Sequence, residues 1–146
     1  MAAAATRADV AVFSELAAID RLAQIHVERL LPGQIGQAQF GVLGRLIAEG
    51  PQSPSQLAAA LALAKPTMTH ALNRLAAAGL VAVEGEVADR RKKRVMLTGA
   101  GEAAYAAGAH ALAPMLQALR SSFPAEAFEA ALPFLTRLRG WLAANP

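Results

Sequence analysis

Apolar residues recur along this chain with two periods, and together they predict six helices and one pair of strands. Over residues 9–31, Val12, Phe13, Leu16, Ile19, Ala23, Val27 and Leu30 share one stripe at helical spacing. Leu22 and Ile25 fall on the other side, so this first helix is predicted to bury two faces, which in a small domain points to a partner chain. Pro32-Gly33 stops it. Phe40, Val42, Leu43, Leu46 and Ile47 mark a second helix over about 37–48, ended by Gly50-Pro51.

Local signals place the next elements. Ser53 can cap a helix, Pro54 suits its first position, and Gln56 completes a capping box, giving a short third helix to about residue 61. Pro66 suits the start of a fourth, which runs to residue 78 with Gly79 as its stop. Met68, Leu72 and Leu75 share the inner face of this helix; His70, Asn73 and Arg74 point the other way, with Thr67 and Thr69 on the flanks. Residues 80–83 and 94–97 read as short strands joined in a hairpin. Thr98 can cap a fifth helix to about 120, and a sixth runs from about 124 to 143. Pro114 and Pro133 predict a kink or break in each. The small residues of "GAGEAAYAAGAHALA" predict close approach of a neighbouring helix. There is no internal repeat.

Composition narrows the class. A chain of 146 residues, Ala- and Leu-rich, is expected to form one mainly helical domain (1–146) with its own core. Without cysteine there are no disulfides, thiolate metal sites or thiol switches. No apolar run approaches a membrane span, and the first ten residues lack the pattern of a signal peptide, so a soluble cytoplasmic protein is expected. The net charge of +3 is unevenly spread: residues 65–94 hold seven cations against three acids, and the remainder seven against eight. Positive charge gathered in a fifth of the molecule attracts polyanions, nucleic acid being the commonest.

The cations centre on "DRRKKR", Asp89 to Arg94. Such a run is often only a solvated loop. Here it lies at the tip of a hairpin that follows a short capped helix, a tight turn and a helix with a polar outer face. That order predicts a helix-turn-helix whose second helix enters the major groove, with Thr67, Thr69, His70, Asn73 and Arg74 carrying the groups to read bases or hold phosphates. The hairpin is then a wing. Arg91 at its tip suits a narrow minor groove, Asp89 is placed to hold that guanidinium, and Arg90, Lys92 and Lys93 neutralise phosphates. The fold class is mainly α with a small β-hairpin wing. Catalysis is not expected: His26, His70 and His110 lie far apart, no nucleophile–base set or phosphate-binding glycine loop is present, and no metal or cofactor is called for.

"SPSQLAAALALAKPTMTHALNRLAAAGLV", followed by "ADRRKKRVMLTGAG", resembles the MarR family of winged helix-turn-helix transcription regulators. "KPTMT" is similar to the family's recognition-helix start, "RLAAAGLV" to its helix-to-wing transition, and Asp89-x-Arg91 with "VMLT" to its wing and return strand. The likeness is dense from about Gln39 to Gly101. It implies a DNA-binding lobe at 34–97 and dimerisation helices at 1–33 and 98–146. It further implies a homodimer on pseudo-palindromic double-stranded DNA and an unknown small-molecule effector that releases a repressor. By position, Ser53 and Ser55 would approach phosphates, Lys65, Thr67, Thr69, His70 and Arg74 would face the major groove, and Arg91, braced by Asp89, the minor groove. The chain departs from the family in having His70 where arginine is common and Ala64 where a serine cap is common. The absence of cysteine removes the oxidation switch of peroxide-sensing members.

For the effector, His26 and Arg29 on the first helix and Gln39 and Phe40 on the second are placed to line a cleft between lobes, although a lone histidine on such a helix is more often an interface residue. His110 and Trp141 are expected in the dimer contact. The rival reading is a winged helix that binds an acidic protein partner through the same charges.

Overall fold

The computed structural model describes residues 7–85 and 92–146. Its elements, in order, are α1 (Ala8–Leu30), α2 (Gln37–Glu49), α3 (Pro54–Leu61), α4 (Lys65–Ala77), β1 (Val81–Glu84), β2 (Arg94–Leu97), α5 (Gly99–Ser122) and α6 (Ala125–Ala144). The chain forms two compact units, one up to Ala111 and the other Leu112–Pro146, with the boundary inside α5.

Each break in the first unit has a local cause. Ser53 Oγ accepts from Gln56 N at 3.1 Å while Gln56 Oε1 accepts from Ser53 N at 2.9 Å, the reciprocal box expected at the start of α3. Ala62 then takes a left-handed conformation (φ 53°), and Leu63 N returns to Ala58 O at 2.9 Å, which ends α3 and makes the tight turn into α4. No side chain caps α4: Ala64 occupies the cap position with nothing to offer the first amides. Gly79, at φ 74°, ends the turn after α4, and Leu80 N bonds back to Leu75 O at 2.9 Å.

The core of this unit gathers one face from each element. Val42, Leu43 and Leu46 of α2 meet Leu57 and Ala58 of α3, Met68, Leu72 and Leu75 of α4, and Val81 and Val95 of the two strands. Strands β1 and β2 are antiparallel, in the register Val81↔Leu97 and Val83↔Val95. Gln52 forms an isolated bridge to β2: its amide donates to Val95 O at 3.2 Å and its carbonyl accepts from Val95 N at 2.7 Å. The wing is thus tied to the α2–α3 connection as well as to α4.

The small residues of α5 do let a neighbour approach. A Cβ on Gly108 would lie 2.6 Å from the Phe40 ring, and one on Gly44 of α2 would lie 3.1 Å from the Tyr105 ring. Phe40 and Tyr105 stack with centroids 4.9 Å apart. Thr98 caps α5 as expected, its hydroxyl accepting from Gly101 N at 3.0 Å.

One expectation needs revision. Pro114 and Pro133 do not break their helices, which continue through both. The carbonyl that each proline leaves without a helical partner belongs to an exposed residue, His110 or Glu129, where water can satisfy it. The first helix was expected to bury two faces against a partner chain; within the single chain no residue of α1 is buried, and Val10, Phe13, Ile19, Leu22 and Ile25 are exposed. In α6, too, no residue is buried, and Phe128, Leu132, Phe134 and Trp141 are exposed.

Candidate nucleic-acid interface

Helix α4 sorts its side chains by period. Met68, Ala71, Leu72 and Leu75 fall within about a third of the helical circle and are buried. Lys65, Thr67, His70, Asn73 and Arg74 are exposed, and Thr69 is half-buried. Burying the apolar third against α2 and α3 leaves the polar remainder facing solvent, so the outward row predicted from the sequence exists. Ser53 and Ser55 stand at the start of α3, Ser55 exposed; the Ser53 oxygen already serves the cap, but its hydroxyl proton is available to an acceptor.

A groove of about 100 Å³ lies between α4 and the wing, lined by Pro54, Thr69, Leu72, Asn73, Val83 and Lys93. Its lining combines apolar Pro54, Leu72 and Val83 with an amide, a hydroxyl and an ammonium. The wing's cations divide in use. Arg94 Nη2 donates to Pro51 O at 3.1 Å, so this guanidinium braces the wing root. Lys93 faces the groove, and Lys92 is exposed. Asp89, Arg90 and Arg91, the expected wing tip, lie outside the described residues.

Arg74 also has a partner within the lobe. Its Nη2 reaches Gln34 O in the α1–α2 connection at 3.4 Å, a long hydrogen bond that turns the guanidinium toward that loop. Two adjoining depressions, of about 380 and 370 Å³, share Gln34, Ile35, Gln39 and Arg74. The first adds Gln24 and Glu28 of α1, and the second Ala77 at the end of α4 and Leu80 beyond it. Gln39 is only 8% exposed, and its side-chain oxygen accepts from Gly36 N.

Of the four residues expected around an effector, only Gln39 lines these depressions. Phe40, one position on, turns to Tyr105. His26 and Arg29 are exposed. Helical geometry gives the reason: Gln24 and Glu28, four apart, share a face, whereas His26 is about half a turn from both. Gln34 and Ile35 were missed because a short loop has no periodicity to read.

The lobe is thus three helices, a tight turn and a two-stranded wing tied back to the α2–α3 connection. The model of the MarR family matches residues 31–92. The lobe is a MarR-family winged helix. Among solved structures, the transcriptional regulator BldR from Sulfolobus solfataricus is similar, with a TM-score of 0.77 at 22% identity, covering 88% of this chain and 95% of its own. MarR from Staphylococcus aureus, in complex with salicylate and kanamycin, gives a TM-score of 0.76 at 20% identity over 94% of each chain. BpsR from Bordetella bronchiseptica, whose DNA binding is regulated by 6-hydroxynicotinic acid, gives 0.70 at 27% identity, covering 86% of this chain and 98% of its own. A search by sequence among curated proteins finds no match. Beyond the MarR-type lobe, no helix among the described residues is long and apolar enough to cross a membrane, and no three His, Asp or Glu are grouped to hold a metal.

Proposed function

We propose that this chain is a sequence-specific, double-stranded-DNA-binding transcription regulator that acts as a homodimer, represses, and is released by a small-molecule effector. The observation that carries this reading is the exposed row Lys65, Thr67, His70 and Asn73 on α4, set over a fully apolar inner face and beside a cation-bearing wing. In it, residues 34–97 are the DNA-binding lobe, and 1–33 with 98–146 the dimerisation segments. Thr67, Thr69, His70, Asn73 and Arg74 face the major groove, with Lys65 at its edge. Ser53, Ser55, Arg90, Lys92 and Lys93 meet phosphates, and Arg91, steadied by Asp89, enters the minor groove. No step of catalysis belongs to this reading.

Dimerisation is supported by the apolar side chains that α1 and α6 leave in solvent. Each large apolar side chain withdrawn from water contributes roughly 1.5–3 kcal/mol, and a helix exposing several is stable only when something covers them. For the effector, the depressions around Gln34, Gln39 and Arg74 replace the cleft expected near His26. The precedents are BpsR and the salicylate complex of the S. aureus protein, so a small aromatic acid is the class to try first. A ligand that engaged Arg74 would act on the recognition helix itself.

The test is fluorescence anisotropy of the protein with DNA flanking its own gene, against a scrambled duplex of equal length, across a salt series. Tighter binding to the native duplex, persisting at salt that dissociates the scrambled one, is the expected result. If every duplex bound alike, in any sequence selected from a random library, the specific reading would fall and an acidic protein partner would replace it.

A further inference from the structure

We propose that Thr98 is a positioning residue for DNA recognition: its hydroxyl clasps the end of the recognition helix α4 to the start of α5, and so fixes how α4 is hung from the helix on which the dimer is built. The inference rests on the reading of the chain as a dimeric DNA-binding regulator.

Recognition helix α4 ends in a tight turn through Gly79 and Leu80 whose carbonyls need donors. Both find them at one residue. Thr98 Oγ1 donates to Gly79 O at 2.7 Å, and Thr98 N donates to Leu80 O at 3.2 Å. The same hydroxyl accepts from Gly101 N at 3.0 Å, and Thr98 O accepts from Glu102 N at 3.0 Å. One side chain thereby serves the C-terminal turn of α4 and the N-terminal turn of α5 at once. Because Val81 pairs with Leu97, this junction is also the root of the wing.

Capping α5 requires only an acceptor for Gly101 N. The bond given to Gly79 O is surplus to capping, and this is what separates a positioning role from a merely structural one. Gly101 completes the fit. It is buried, and a Cβ there would fall on the Leu80 carbonyl, so α5 sits directly on the turn that ends α4. In a dimer reading two half-sites, the recognition helices must be about 34–36 Å apart or a multiple of it. Slack where α4 joins α5 enters that separation from both subunits.

The test uses duplexes enriched from a random library by the wild-type protein, each compared with versions in which one base pair is added or removed between half-sites. Thr98→Ser keeps donor and acceptor. Thr98→Asp keeps an acceptor for Gly101 N and cannot donate to Gly79 O. Thr98→Val keeps neither. The wild type and Thr98→Ser should prefer the selected spacing. Thr98→Asp and Thr98→Val should bind it about tenfold more weakly, the effect of one lost neutral hydrogen bond, and their spacing preference should shrink to about threefold or less. Thr98→Asp gives up one hydrogen bond and should unfold a few degrees below the wild type, still folded at the assay temperature, so it carries the test if Thr98→Val does not fold. The added charge of Asp weakens all duplexes alike and leaves the ratio untouched. Retention of the full spacing preference by Thr98→Asp would reduce Thr98 to a helix cap and overturn the proposal. Failure of the wild type to enrich any duplex is a different result, which removes the DNA-binding reading on which it stands.

Discussion

Replacing Gly101 with Ala sets two effects of opposite sign against each other. Gly101 lies in the first turn of α5, where Ala is ordinarily the better helix former by about 0.5–1 kcal/mol. Its Cβ, however, would lie 2.6 Å from Leu97 Cδ1 and 3.1 Å from the Leu80 carbonyl carbon, and on the Leu80 oxygen itself. Leu97 is a side chain and can rotate. The Leu80 carbonyl is backbone, held by Thr98 N at 3.2 Å, and moving it disturbs the Thr98–Gly79 bond at 2.7 Å as well. Losing one or both bonds costs about 0.5–1.5 kcal/mol each, and overpacking a tight contact adds about 1–3 kcal/mol. The clash wins, and Gly101→Ala should lose about 2 kcal/mol net. For a chain of this size, that lowers the melting temperature by about 4–8 °C. Gly99→Ala is the matched control: it lies two residues away in the same turn, where an added Cβ meets nothing within 4 Å, and it should stay within about 0.5 kcal/mol of wild type. Thermal and urea unfolding followed by circular dichroism, at one protein concentration, reads both. Equal stability of the two variants would show that the Leu80 turn does not sit on Gly101.

Other expectations follow from single positions. Ala62 holds φ 53° in the turn between α3 and α4, so Ala62→Gly should be neutral to about 1 kcal/mol more stable in urea unfolding; a clear loss would contradict the left-handed assignment. Gly85 has φ 117° and no room beside Lys92 O, so Gly85→Ala should distort the hairpin and weaken DNA binding more than it lowers the melting temperature; equal DNA affinity would mean the wing does not contact DNA. Arg91→Ala should weaken binding most on duplexes with A·T-rich minor grooves, measured by anisotropy; a uniform loss would make Arg91 a phosphate contact. Trp141, 62% exposed, should be covered in a dimer, so Trp141→Asp should raise the monomer fraction in sedimentation velocity; an unchanged distribution would place the dimer contact elsewhere.

Much of the fold was legible because its signals are local. Ser53 with Gln56, Thr98 with Gly101, and the glycine at 79 act within a few residues, and the burial of Met68, Leu72 and Leu75 follows from helical period alone. The outward row on α4 was readable for the same reason. The partners of the cations were not. Arg74 turns to Gln34 across 40 positions and Arg94 to Pro51 across 43, and no local pattern tells which carbonyl will come within reach of a guanidinium. The depressions near Gln39 were not legible for a related reason: a helix pattern says which residues share a face, and not which face a loop will fold against.

The amino-acid sequence by itself determined where the helices start and stop, that a basic hairpin follows a polar-faced helix, and the MarR-like order of these parts, because capping, turn chemistry and periodicity are set by neighbours in the chain. Only the tertiary structure decided which polar groups are spent on holding the lobe together and which remain for a ligand. Arg94, Gln39 and the Thr98 hydroxyl are engaged by backbone groups, while Lys65, His70 and Asn73 stand in solvent. That division follows from the need of buried or terminal backbone groups for partners, and those partners are supplied by whatever packing brings near.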